Sequence, residues 1–220
     1  MRDDVDMGDF DAVLFDFGGV FTASPFALLW EAASGFGVPP EVVLRTCFGS
    51  YAEDTDHPWH RLERGEVTVT DALAAIGDLG AADGVRIDPV EVLKGSIGTG
   101  DVIRADVVAA VREVRGAGLA TGLVTNNIRE FGTKWRALLP LGELFDVVVD
   151  SCEEGMRKPD PRIYHLALER LGGMSPERVV FLDDAPGNVD AARAVGLAAI
   201  LVETDYQAAL ATLRDMLALS

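Results

Sequence analysis

At 220 residues the chain suits one α/β domain, or one core with a modest insertion. Its 36 acidic against 19 basic side chains give a formal charge of −17, and an acidic surface repels nucleic acid and anionic membranes, which both need basic patches. Cys47 and Cys152 form neither a zinc spacing nor a disulfide framework. The acidic first nine residues hold no signal segment, and no apolar run could span a bilayer, so a soluble cytoplasmic protein is expected.

The first apolar run, Ala12-Val13-Leu14-Phe15, ends at Asp16, and continuous runs of this length suit buried parallel strands. Helix starts follow at Pro39-Pro40-Glu41, Thr68-Val69-Thr70-Asp71 and Asp88-Pro89-Val90, with no convincing strand among them. This stretch is too long for a loop. Residues 23–95 are therefore expected to form a helical cap inserted into a core of residues 1–22 and 96–220. Trp30, Phe36 and Phe48 are its expected interior, and glycine-rich residues 95–100 the hinge leading out of it. Val107, Val108, Val111 and Val114 then mark one helix face, stopped by Gly116 and Gly118.

Apolar runs at residues 120–124, 145–149 and 179–182 stop at Thr125, Asp150 and Asp183, and residues 198–202 read as a fifth strand. Between them, Asp160 is an expected N-cap with Pro161 at the first helical position. Ile163, Leu166, Ala167 and Leu171 share that helix's apolar face, and Gly172 ends it. Val189, Ala192 and Val195 line a further helix stopped by Gly196. Strand–helix alternation of this kind predicts an α/β fold with a Rossmann-like, doubly wound parallel sheet.

In such sheets ligands bind beyond the carboxyl ends of the strands. The residues expected there are Asp16, Thr125-Asn126-Asn127 and Asp183-Asp184, with Lys158 following the third strand. Three carboxylates, a hydroxyl and an ammonium suit phosphoryl transfer. A carboxylate can attack phosphorus and form an aspartyl phosphate, once a divalent cation neutralises the like charges. Lys158 and the Thr125 hydroxyl can hold the transferring oxygens, and Gly18 and Gly19 let the chain turn tightly beside a phosphate.

Four segments carry a resemblance: Phe15-Asp16-Phe17-Gly18-Gly19-Val20, Leu123-Val124-Thr125-Asn126-Asn127, Arg157-Lys158-Pro159-Asp160-Pro161 and Phe181-Leu182-Asp183-Asp184. In this order they resemble the four motifs of the haloacid-dehalogenase superfamily. The stretches Ser151-Cys152-Glu153-Glu154-Gly155-Met156-Arg157-Lys158-Pro159 and Arg61-Leu62-Glu63-Arg64-Gly65-Glu66-Val67-Thr68 are similar to its phosphatase-like branch, which includes the N-terminal domain of mammalian soluble epoxide hydrolase. The resemblance implies Asp16 as nucleophile and metal ligand, and Mg²⁺ as cofactor. It also implies Asp184 as a direct ligand, Asp183 beside it or acting through water, and the Gly18 carbonyl as a further ligand. Thr125, Asn126, Gly19 and Lys158 would hold the phosphoryl group of a small phosphorylated substrate.

One position departs from that pattern. Phosphatases of this family usually carry a second Asp two residues after the nucleophile, and Gly18 stands there. The metal ligand survives, because glycine has the same carbonyl, but the general acid does not. Such catalysis is worth on the order of 10²–10⁴-fold. Cap residues Glu53, Asp54, His57 and His60 are the candidates to replace it. His57 and His60 suggest a metal pair but, on an expected loop, otherwise read as surface or cap packing, and His165 as a structural helix residue. Two rival readings are a low-turnover phosphate- or metabolite-binding domain, suggested by Gly18, and a hydrolytic dehalogenase in which Asp16 attacks carbon. The dehalogenase needs no metal, and the acidic pair Asp183-Asp184 tells against it.

Overall fold

The computed structural model describes residues 10–96 and 102–219. Five strands form one parallel sheet: β1 (Ala12–Phe15), β2 (Ala120–Thr125), β3 (Val147–Asp150), β4 (Val179–Asp183) and β5 (Ala198–Leu201). Their spatial order is β3-β2-β1-β4-β5, so β1 lies at the centre. Phe15 pairs in register with Leu123 of β2 and Leu182 of β4. Asp16, Thr125 and Asp183 are thereby brought to one edge of the sheet. Successive β1 side chains face opposite sides, as strand pleating requires. Val13 and Phe15 enter one buried cluster, and Ala12 and Leu14 the other.

Between β1 and β2 lie α1 (Pro25–Ala33), α2 (Pro40–Phe48), α3 (Pro58–Glu63), α4 (Val69–Ala82), α5 (Pro89–Ser96) and α6 (Ala105–Gly116). Helices α1–α5 enclose a separate cluster built on Leu29, Val43, Phe48, Leu62, Ile76 and Val92. These five helices, inserted between β1 and β2 with a cluster of their own, are called the cap below. Thr68 starts α4, its hydroxyl accepting a hydrogen bond from the Asp71 amide. The short helices α7 (Gly132–Arg136), α8 (Leu141–Leu144) and α9 (Ser151–Glu154) frame β3, and α10 (Pro161–Arg170), α11 (Pro186–Val195) and α12 (Tyr206–Leu217) complete the core. Helices α6 and α12 cover one sheet face, and α10 and α11 the other. The Asp160 carboxylate caps α10 by accepting from the Arg162 amide, with Pro161 at the first helical position.

Several expectations change in detail. Phe145 lies before β3 rather than in it, because α8 ends there. Trp30 is half-exposed on α1 instead of buried; Phe48 is buried and Phe36 packs partly against the cap cluster. His165 sits on the exposed side of α10. Of the two histidines expected on a loop, His57 ends the loop as the N-cap of α3, whereas His60 is buried within α3. Of the expected hinge, residues 95 and 96 belong to the last turn of α5, and residues 97–100 lie outside the described residues. Both cysteines are free and buried, and no helix among the described residues is long and apolar enough to cross a membrane.

Candidate active site

The sheet edge and the cap enclose a cavity of about 250 Å³. From the core, Asp16, Gly18, Thr125, Asn126, Lys158 and Asp184 line it. From the cap come Leu29, Phe48, Tyr51, Trp59, Glu63 and Leu93, and Ile128 and Phe131 add apolar surface beyond β2. Phe48 and Trp59 meet edge to face at 4.8 Å, which fixes one wall. Core and cap touch closely beside the cavity. A Cβ at Gly187 of α11 would lie 2.3 Å from the Tyr51 carbonyl, so only glycine fits there.

Lys158 is fully buried, with Nζ 2.7 Å from Asp16 Oδ1 and 2.6 Å from Asp183 Oδ2. Asn126 fixes the lysine's backbone: its Oδ1 accepts from the Lys158 amide at 2.8 Å and its Nδ2 donates to the Lys158 carbonyl at 2.9 Å. Asn126 lines the cavity, but its amide is thus occupied in positioning Lys158. Asp183 is likewise engaged, accepting from Lys158, the Ala185 amide and Asn188 Nδ2. Asp184 Oδ2 accepts from Ser24 Oγ at 2.5 Å. Gly19, at φ +70°, presses against Asp184, and a Cβ there would fall 2.0 Å from Asp184 Oδ2. Its carbonyl accepts from Arg104 Nη1 at 2.6 Å.

Carboxylate oxygens of Asp16, Asp183 and Asp184 lie within 4.8 Å of one another. Burial, with Asp183 and Asp184 alongside, pushes Asp16 up to about 8 against the opposing pull of Lys158. Burial and Asp183 push Asp184 up to about 6. One lysine therefore does not balance three clustered acids. An all-oxygen donor set with surplus negative charge fits a hard divalent cation. Cation, Lys158 and Thr125 together could neutralise and hold an anionic group facing Asp16.

The cap groups expected to replace the missing acid do not line the cavity. Glu53 is exposed in an outer groove beside Asp160 and Arg162. Asp54 is held by Arg64 Nη1 at 2.5 Å. His57 spends its ring nitrogens on the Trp59 amide and the Thr46 carbonyl, and His60 Nδ1 accepts from the Thr55 amide. The cap acid that reaches the cavity is Glu63, which the sequence reading did not single out. Its Oε2 accepts from Nε of the fully buried Arg157 at 2.7 Å. The available signal was its register: Glu63 stands four residues after the buried Trp59, on the same face of α3.

A family model for haloacid dehalogenase-like hydrolases matches residues 10–196. The chain is 35% identical to mouse acyl-CoA dehydrogenase family member 10 over 87% of its length, spanning only 18% of that protein. It is 29% identical to the sesquiterpene phosphatase astK of Aspergillus oryzae, with 94% of this chain and 96% of that one covered. Its fold is similar to a HAD family enzyme of Bacteroides thetaiotaomicron in complex with magnesium and inorganic phosphate, at TM-score 0.60 and 19% identity, covering 89% of this chain and 96% of that one. With the model spanning most of its length, the chain belongs to the haloacid dehalogenase-like hydrolase family.

Proposed function

We propose that this hydrolase is a Mg²⁺-dependent phosphatase of small phosphorylated metabolites that works through an aspartyl phosphate on Asp16. The observation that carries the reading is the cluster of Asp16, Asp183 and Asp184 with the buried Lys158 at one end of the cavity. In this reading residues 1–22 and 96–220 are the catalytic core and residues 23–95 the cap that shields the site. Phosphatase relatives and a fold neighbour that binds magnesium and phosphate support it.

Asp16, Asp184 and the Gly18 carbonyl would hold Mg²⁺, and the bound ion would offset the charge of a phosphate approaching three carboxylates. Asp16 Oδ attacks phosphorus, and the bond to the leaving oxygen breaks. Lys158 and Thr125 hold the transferring oxygens, and the Gly19 turn keeps the chain close to them. Asn126 and Asp183 act at one remove by fixing the Lys158 backbone and ammonium. Leu29, Phe48, Trp59, Leu93, Ile128 and Phe131 form an apolar wall that favours an apolar leaving group. The 29% identical sesquiterpene phosphatase fits that preference.

Gly18 favours a second reading, a phosphate-binding domain with little turnover. The intact set of Asp16, Thr125, Lys158 and Asp184 weighs against it. A panel of phosphate esters assayed with and without Mg²⁺, beside Asp16→Asn, separates the two. Mg²⁺-dependent release of phosphate that vanishes in Asp16→Asn supports the phosphatase; phosphate binding without release supports the alternative.

A further inference from the structure

Hydrolysis of an aspartyl phosphate requires a group that takes a proton from the attacking water, and Gly18 offers none. Three carboxylate side chains line the cavity: Asp16, Asp184 and Glu63. In the proposed reaction Asp16 carries the phosphoryl group. Asp184 belongs to the acidic cluster and accepts from Ser24. Asp183 is saturated by Lys158, Asn188 and the Ala185 amide. Tyr51 also faces the cavity, but burial pushes its hydroxyl far up, so it can donate a hydrogen bond and cannot serve as a base. Glu63 remains.

Glu63 is suited to the task by its setting. It is buried on the last turn of α3, and the Arg157 guanidinium holds Oε2 at 2.7 Å. Its Oε1 takes no hydrogen bond among the described residues. Arg157 is in turn the residue before Lys158, so one short segment anchors the lysine on the core side and the glutamate on the cap side. With Oε2 engaged by Arg157, Oε1 is the oxygen left to accept a hydrogen bond from a water in the cavity that Glu63 lines.

We propose that Glu63 is the general base for the second half of the reaction, in a proposal that rests on the phosphatase reading above. The water oxygen forms a bond to phosphorus as the bond from phosphorus to Asp16 Oδ breaks. The electron pair of that bond returns to the Asp16 carboxylate. The water proton passes to Glu63, which releases it to solvent, and inorganic phosphate departs. In the first half-reaction Glu63 supplies no proton, so the leaving oxygen takes its proton from solvent.

The test is rapid-quench kinetics with an aryl phosphate and Mg²⁺, comparing the parent protein with Glu63→Gln. The glutamine oxygen can still accept from Arg157 Nε, so the anchoring contact is conserved. The expected result is a burst of one phenolate per site at the parental rate, followed by steady-state turnover lowered on the order of 10²-fold. Acid-quenched Glu63→Gln should carry phosphate on Asp16, and Gly18→Asp added to it should restore turnover. If Glu63→Gln does not fold, Glu63→Met with Arg157→Met removes the buried pair as a unit and carries the same expectation. Burst and steady state falling together, or steady-state turnover within twofold of the parent, would overturn the role of Glu63. A parent protein that releases no phenolate in a Mg²⁺-dependent manner overturns the phosphatase reading itself, and the base with it.

Discussion

The sheet edge and the cap meet at one cavity but contribute opposite things to it. The sheet brings Asp16, Thr125 and Asp183 together from strands more than fifty residues apart, because parallel register leaves the strand ends side by side. The cap contributes mainly apolar wall, with Glu63 its one carboxylate in the cavity. Apart from Glu63 and Tyr51, the ionisable groups of the cavity thus sit on the part of the molecule whose geometry is fixed by backbone hydrogen bonds. The surface that would select a leaving group sits on short helices held by side-chain packing, which can change without disturbing the chemistry.

The largest expected effect breaks the sheet side. Asp16→Asn replaces the proposed nucleophile with an amide that cannot form the acyl phosphate, and phosphate release should fall to background. Stability should change little, because the amide oxygen can still accept from Lys158, and the buried charge that desolvation above all disfavours at Asp16 is gone. Turnover above a few per cent, with deamidation excluded by mass spectrometry, assigns the nucleophile elsewhere. In the same cluster, Asp184→Ala should abolish Mg²⁺ binding in calorimetry. Asp183→Ala should retain some binding but lose about 3 kcal/mol or more of stability, since it leaves buried Lys158 short of a partner.

The next effect breaks the joint between the two regions. Arg157→Met leaves Glu63 buried without its guanidinium, and should cost about 3–5 kcal/mol in urea unfolding. Arg157→Met with Glu63→Met should recover most of that loss, because a buried ion pair contributes little against apolar side chains of similar size. If the single and double variants are equally destabilised, the pair is not what joins cap to core.

Much of this contrast was legible in the sequence. The strand ends and the residues at them could be read because each apolar run stops at a polar residue, and a parallel sheet collects such stops at one edge. Asp160 and Gly196 were legible for a similar reason, since capping is local chemistry. The roles of Asn126 and Asp183 in fixing Lys158 were not, because those hydrogen bonds join segments more than twenty residues apart. The cap was harder still. Trp30 reads as core by composition yet lies half-exposed, and Glu53 turns outward and Asp54 pairs with Arg64, while Glu63 turns in. Which face of a short amphipathic helix meets the site is settled by tertiary packing.

A smaller effect sharpens the comparison through pH. His60 is fully buried in the cap; burial, then Arg157 and His57, push its imidazole down to about 3. Asp54, 3.8 Å from Nδ1, would favour the charged ring but is already engaged by Arg64. The folded pKa lies below the unfolded one, so the unfolded chain binds the extra proton. Stability is therefore complete above about pH 6.5 and is lost as pH falls from there toward 3. At pH 5 the loss amounts to about 2 kcal/mol at most. Replacing His60 with Gln should reduce the difference in urea midpoint between pH 7.5 and pH 5; an unchanged difference means the ring is protonated in the folded cap.

The smallest effect compares one device in both regions. Thr68 caps α4 in the cap, accepting from the Asp71 amide at 3.2 Å, and Asp160 caps α10 in the core, accepting from the Arg162 amide at 2.9 Å. Each cap replaced by Ala should cost about 1 kcal/mol. The cost should be distributed differently. Helix α10 packs on β2 and β3 and shares its cluster with β1, so Asp160→Ala should lower protection from amide exchange throughout the sheet. Helix α4 packs only on its fellow cap helices among the larger contacts, so Thr68→Ala should speed exchange in α2–α5 and leave β1 and β4 unchanged. Its effect on KM should exceed its effect on the phosphorylation rate, because the cap supplies the wall and the sheet supplies the nucleophile. Uniform loss of protection in both variants would mean that cap and core unfold as one unit, and that the division of labour at the cavity has no counterpart in stability.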